Sequence, residues 1–588
     1  MRQRRVATAL AIPFVLAFVA ASCGSDDSSG DTAIDVVTTD ADSGGTPTTD
    51  ADGPADTTPE QSVADTAPEE SETPVMGGSV TLGLEAEATG LRPWEDGCSE
   101  PCYNIMYAIY DPLMTSLSSG GYGPYLAESL EPNDDFTLWT MTLRPGVTFH
   151  NGTPLTATTI ADMFPIQQQG STSSSAIASA KLQDVAATGD LTVEYTLSEP
   201  NSAFAASLAL APLGFPFDPA AATADPVGYS TNPIGTGPFV MSSRDIDNET
   251  IVVRNPDYWR TDVAGNPLPY LDSISYRPIP DEGNRLDALL SGTVTAIESL
   301  RGATIRDARA EGDDIVVYEH LGNSTGAGFF NTAKPPLDDP RVRLGLNKMN
   351  DQERVIQALG NDGISAATTQ WFSVDSPWWT QEAADSYPTF DFDGGKELIQ
   401  EYVDDPERSD GKSPGDKIDV ELSCPPDPTL LAAMQVIQQV WDGSELVNVK
   451  LTNYDQATHI DHGINDQTSA HCWRFGTDGD PGVAINAFVT NSADSVSNFP
   501  NFDDPEMQEW AREASSTDDF ETRKELYSQI MTRINDEALT WYAGGTAQMI
   551  AVAPEVKGVL DWTLPDGEPG VGIQGAQMRP AQVFVSAG

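Results

Sequence analysis

The chain has 588 residues, with 89 Asp and Glu against 31 Lys and Arg, and a formal net charge of −58. That length exceeds what one hydrophobic core serves, so two or more lobes are expected. So acidic a chain excludes nucleic acid, whose phosphates need clustered Lys and Arg, and disfavours electrostatic docking on anionic lipid.

The first 23 residues read as an export signal. Arg2, Arg4 and Arg5 precede an apolar run from Val6 to Ala21, short for a spanning helix and interrupted by Pro13. Ala-Ala-Ser-Cys follows, resembling a bacterial lipobox in which Cys23 becomes the lipidated N-terminus. Ala20 stands where such boxes usually carry Leu, and an ordinary signal peptide cut nearby is the alternative. Residues 24–75 hold 14 acidic residues, no Lys or Arg and no aromatic residue. This stretch cannot bury enough apolar surface to offset its chain entropy, so a disordered acidic stalk is expected.

Beyond the stalk the pattern is mixed α and β. Residues 78–84 alternate like a first strand. Residues 136–150 alternate again around a turn at Pro145-Gly146, the pattern of a hairpin. A helix is expected to start within 153–164, with strands at 191–197 and 251–254. Helical spacing runs through 338–359 and again through 506–537. The apolar stretch 203–217 is broken by Pro212, Gly214 and Pro216, so it reads as core or a lobe junction.

Four cysteines follow Cys23: Cys98, Cys102, Cys424 and Cys472. An even number in an exported chain suggests two disulfides. Three pairings exist on paper; the short spacing favours Cys98 with Cys102, leaving Cys424 with Cys472. A zinc site is the rival, but the spacings match no common ligand pattern.

Residues 109–164 read I-Y-D-P-L-M-T, then Y-L-A-E-S-L-E-P-N-D-D-F-T-L-W-T-M-T-L-R-P-G-V-T-F-H-N-G-T-P-L-T-A. This resembles the signature of the extracellular solute-binding proteins of family 5, the dipeptide, oligopeptide and nickel binding components of ABC importers. The resemblance continues through P-I-G-T-G-P-F at 233–239, V-V-R-N-P-D-Y-W-R at 252–260 and L-P-Y-L-D-S-I-S-Y-R-P-I-P-D-E-G-N-R-L-D-A-L-L-S-G at 268–292. It resumes at F-N-T-A-K-P-P-L-D-D-P-R-V-R, residues 330–343, and at D-P-E-M-Q-E-W-A-R-E-A, residues 504–514.

The resemblance implies an α/β, two-lobed, type II periplasmic-binding-protein-like clamp with discontinuous lobes. The first lobe would combine 76–111, 233–318 and 546–588, an accessory domain would span 112–232, and the second lobe 319–545. It further implies a small solute, most often a peptide, trapped by lobe closure and handed to ABC permease subunits. The protein would act as a single chain outside the cytoplasm, lipid-anchored to the outer face of the cell membrane, with no cofactor.

In peptide-binding members an acidic residue in a Trp-to-Asp-Pro stretch holds the peptide amine. Here that stretch runs from Trp473 to Pro481, the matched position is Thr477, and Asp478 lies one residue off. The aromatic candidates are Trp94, Tyr103, Trp371 and Trp473, with Trp378 and Trp379 nearby, because flat faces stack on side chains, sugars or cations. Asn323 and Ser324, in G-N-S-T-G-A-G, could offer backbone N–H groups to a ligand. Arg341 and Arg343 read as structural partners of Asp338 or Asp339.

Catalytic signatures would mark the competing class. The chain has no G-x-S-x-G elbow, no Walker A loop and no Rossmann G-x-G-x-x-G after a strand. His459-Ile460-Asp461-His462 reads as a surface helix end and not as a metal site. A secreted hydrolase on a two-lobed scaffold is the alternative function.

Overall fold

The computed structural model describes residues 73–586, apart from 119–120, 211, 426–427, 455–457, 460–461, 464, 466, 477–479, 493–494 and 496–497. Cys23 and almost all of the acidic segment lie outside the described residues. Ser71–Gly588 form one compact unit.

Its centre is a sheet of ten strands: β1 (Ser79–Leu84), β2 (Phe239–Asp245), β3 (Glu249–Arg254), β4 (Ser273–Pro278), β5 (Ala296–Ser299), β6 (Val316–Phe330), β7 (Ile418–Cys424), β8 (Val447–Asn453), β9 (Ala470–Gly476) and β10 (Thr540–Val552). Their spatial order is β8-β7-β9-β6-β10-β5-β1-β4-β3-β2. Short parallel pairs lie on both sides, β1 with β4 and β5, and β7 with β8 and β9. β6 and β10 join the two sides. The first part of β6 pairs with β10 from Val316 to Leu321; its last part lies between β10 and β9. β10 in turn reaches β5 through Met549–Val552. The chain thus crosses between the halves on long strands and not on linkers.

Each half has its own apolar core. The first gathers β1 and β4 with the helix Glu100–Ile109 and a four-stranded antiparallel sheet, Ala127–Pro132, Leu138–Leu143, Thr192–Leu197 and Leu182–Ala187. The other half has two clusters, one around Trp441 and Tyr402 and one around Trp371, Tyr527 and Tyr542. Burying such residues contributes roughly 1.5–3 kcal/mol each, enough for each half to hold its shape.

Local chemistry sets the element ends. The stretch 338–359 forms two helices, Pro340–Lys348 and Gln352–Ala358, because Asp351 caps the second by accepting from the Arg354 N–H. The stretch 506–537 likewise divides into Pro505–Ser515 and Phe520–Asp536, the latter capped by Asp519. The helix expected within 153–164 begins at Ala157, after a Thr156 cap. Pro145-Gly146 does turn, with Gly146 at φ 81°, but the residues after it form only a bridge between Thr148 and Pro154. Leu138–Leu143 pairs instead with Ala127–Pro132 on one side and Thr192–Leu197 on the other, so the expected hairpin does not form. Gly235 and Gly237 pack onto the end of the helix Glu100–Ile109; a Cβ at Gly235 would lie 2.1 Å from the Ile109 carbonyl oxygen.

Two disulfides close, Cys98–Cys102 and Cys424–Cys472. The second ties β7 to β9. Arg341 pairs with Asp339 at 2.7 Å and Asp405 at 2.9 Å. Arg343 is buried, reaches Glu537 and donates to the Asp338 carbonyl. No helix among the described residues is long and apolar enough to cross a membrane.

Candidate solute-binding cleft

β10 reads T-W-Y-A-G-G-T-A-Q-M-I-A-V, with small residues at its middle. Opposite them β6 carries Gly326 and Ala327, and the ladder between the two strands shifts register at Leu321/Thr325 and Gly326/Ala327. Bulges of this kind bend strands and re-aim side chains. Gly544 sits at φ 101°, a conformation that L residues avoid, and a Cβ there would meet Ile356 at 2.6 Å. The bend and the absence of side chains open a cavity of about 530 Å³ on this face. That is the size range of small-molecule sites.

The walls come from both halves. Glu85 follows β1, Leu300 and Arg301 follow β5, and Gln548 lies on β10. Across from them stand Cys472 and Trp473 of β9, His459, and Leu430 and Met434 of the helix Pro428–Gly443. Asn361 completes this wall; its Oδ1 accepts from the Gly302 N–H at 3.1 Å, fixing the helix that starts beside Arg301.

Behind Glu85 lies Glu298 of β5, fully buried. Its two oxygens accept from the Glu85 N–H at 3.0 Å and from Asn104 Nδ2 at 2.7 Å. Burial raises its carboxyl well above the usual carboxylate range. Glu298 thereby holds the Glu85 backbone in place.

On the opposite wall His459 is 2% exposed. Its Nε2 donates to the Cys472 carbonyl at 2.9 Å, and burial lowers its pKa, so the ring is neutral with Nδ1 as an acceptor. His459 is therefore a buried wall residue and not the surface helix end expected from the sequence. Its ring stacks on Trp473 with centroids 6.4 Å apart, and Trp473 packs on Phe499 at 4.8 Å.

Of the aromatic candidates, Trp473 alone lines this cavity. Trp94 is core: its ring lies 4.3 Å from Phe217 and beside Tyr229. Trp371 is fully buried against Phe488. Tyr103 packs on Tyr107 and Phe215, away from the lining. Trp378 covers the Arg523 guanidinium at 5.3 Å. The physical reason is common to these: large rings in the interior satisfy packing first. Asn323 and Ser324 fall on β6, where Ser324 pairs with Gly476 at the end of β9. Thr477 and Asp478 lie outside the described residues. Glu85, Arg301, Asn361, His459 and Gln548 were not singled out by sequence reasoning, since nothing local marks them until the strands are assembled.

Directly after that stretch, Asp480 is gripped by Arg523 through two bonds of 2.6 Å each. Arg523 also donates to Tyr527 Oη at 2.7 Å. The Asp480 N–H reaches Tyr122 Oη at 3.4 Å, and Ser202 donates through its backbone N–H to the Ser515 carbonyl at 2.9 Å. Segments 112–232 and 319–545 therefore touch.

A sheet threaded through two halves, with a walled cavity at the crossing, defines a solute-binding clamp. The sequence agrees: residues 121–508 match the model of the bacterial extracellular solute-binding proteins, family 5. The chain belongs to that family. It is 25% identical to the dipeptide-binding protein of Escherichia coli over 79% of this chain and 87% of that one. It is 24% identical to the nickel-binding periplasmic protein of the same organism, over 77% and 87%. The fold superposes on a dipeptide-binding protein from Pseudoalteromonas solved with Met-Leu, at a TM-score of 0.71, 20% identity and coverage of 87% and 100%. AppA of Bacillus subtilis, an oligopeptide-binding protein solved with a nonapeptide, gives 0.70, 18%, and 88% and 100%.

Proposed function

We propose that the protein captures a peptide or similar small solute between its lobes and delivers it to the permease of an ABC importer. The observation that carries this is the cavity of about 530 Å³ at the β6/β10 crossing, walled by residues of both halves. Such a volume suits a solute of short-peptide size, and closure of the halves would exclude water from it. In this reading the first lobe is 76–111, 233–318 and 546–588, the accessory domain 112–232 and the second lobe 319–545. The candidate solute contacts of the second lobe are Trp473, Thr477 and Asp478, with Asn323 and Ser324. Glu85 and Arg301 line the cavity from the first.

Mass spectrometry of co-purifying solutes, followed by calorimetric titration of the identified compound and of di- and tripeptides, tests this. Saturable binding without turnover is expected. Sustained product release from a peptide or glycoside library would establish the hydrolase alternative instead. We also place the protein outside the cytoplasm as a single chain, anchored by a lipid on Cys23, with the acidic 24–75 segment as tether. Cys23→Ser is expected to move it from the membrane fraction to the soluble one; retention in the membrane would refute the anchor.

A further inference from the structure

A second enclosed site lies apart from the cleft and shares none of its lining residues. It is a cavity of about 10 Å³ bounded by Tyr107, Asp111, Tyr125, Trp562 and Arg579. Arg579 is 4% exposed and makes one hydrogen bond among the described residues, from Nη2 to Gln574 Oε1 at 3.3 Å. Its Nε and Nη1 have no partner, and neither has the Tyr107 hydroxyl, which is equally buried. The Arg579 guanidinium lies flat on the Tyr107 ring, 3.2 Å from its centroid.

The charges around this cavity do not cancel. Asp111 is fully engaged: it accepts from Tyr258 Oη at 2.9 Å, Trp259 Nε1 at 2.8 Å and the Thr236 hydroxyl at 3.4 Å. Its charge faces Arg260, whose Nη1 donates to Tyr125 Oη at 2.6 Å. One carboxylate thus stands against two guanidinia, and Arg579 forms no ion pair among the described residues. A buried cation without a counter-charge is expensive, and a buried N–H without an acceptor costs about 1–3 kcal/mol. Burial accordingly pulls Arg579 down to about 9.

We propose that Arg579 and Tyr107 hold a buried monatomic anion, chloride under ordinary conditions, as a structural ion of the first half. The cavity is small, about 10 Å³, which favours a monatomic ion over sulfate, phosphate or the carboxylate of a transported solute. A chloride ion would accept from a free guanidinium N–H group and the phenol. It would also supply the missing negative charge, which a water molecule cannot.

Thermal unfolding in sodium chloride against sodium gluconate at equal ionic strength tests the site. A single ion bound only by the folded state multiplies the folding constant by up to 10 for each tenfold rise in chloride above its Kd. The midpoint is therefore expected to rise with chloride and bromide beyond the gluconate control. Tyr107→Phe should flatten the rise, and Arg579→Gln should abolish it. Should Arg579→Gln fail to fold, a crystal of the unaltered protein grown in bromide should show an anomalous peak between Arg579 and Tyr107. Superimposed chloride and gluconate curves, or no bromide peak, would overturn the proposal and leave a bound water.

Discussion

Asp480 closes the stretch expected to meet the solute, so its grip on Arg523 offers a measurable link between fold and binding. Asp480→Ala removes both oxygens from a guanidinium that is 7% exposed and pinned under Trp378 and beside Tyr527. Leaving a buried cation unpaired costs about 3–5 kcal/mol, against less than 1 kcal/mol for an exposed pair. Most of that cost is the stranded charge, so Asp480→Ala with Arg523→Met should recover much of it. The coupling between the two positions should be about 2 kcal/mol or more. Urea unfolding of the four proteins gives the coupling, and solute titration of the same four gives the effect on the cleft. A loss below about 1 kcal/mol for Asp480→Ala, or strictly additive losses, would refute the argument that this pair is buried and bidentate.

Acid should destabilise the fold through His150 and His471, which burial holds down to about 4 and about 3. Below about pH 6.5 the unfolded chain binds protons that these rings refuse, so stability falls towards pH 4 by up to about 1.4 kcal/mol per unit for each ring. Asp111, raised to about 6, opposes this between its unfolded value of 3.8 and 6, because there the folded state keeps a proton the unfolded chain has released. His471→Asn should shallow the slope measured by urea midpoints across pH; an unchanged slope would count against a buried neutral ring. Removing Cys424–Cys472, with a sequence separation of 48, should cost about 4 kcal/mol, and removing Cys98–Cys102, with a separation of 4, about 2 kcal/mol. Equal losses for the two double-serine variants would contradict that ordering. Gly544→Val should cost roughly 2–4 kcal/mol through its positive φ and its approach to Ile356. Ile356→Ala in the same background should restore part of it, and failure to do so would place the cost elsewhere.

Much of the architecture was legible before any coordinates. Alternation marked residues 78–84, and the strands expected at 191–197 and 251–254 lie within a residue or two of Thr192–Leu197 and Glu249–Arg254. Helix divisions were missed at Asp351 and Asp519, where a cap interrupts spacing that otherwise runs on. The cleft was less legible. Trp473 lines the cavity, and a flat ring beside an expected site is a signal visible in the sequence. Trp94 and Trp371 carried the same signal and went to the core. Glu85 and Arg301 carried none: each is an ordinary charged residue at a strand end, and only the parallel pairing of β1 with β5 brings those ends to one wall. Pairing between residues some 200 positions apart leaves no local trace in the chain.

The crossing on β6 and β10 also bears on how the molecule comes apart. Two lobes joined by loops can melt separately, each with its own calorimetric peak. Here Val316–Leu321 and Thr325–Phe329 are hydrogen-bonded to the same neighbouring strand, so neither end can be stripped without pulling on the other. The pair behaves like a torsion bar: it can twist at its bulges while its ladder stays intact. Heat should then take both lobes through a single shared transition, and the stiffness of that bar sets how far the mouth swings at a given thermal energy.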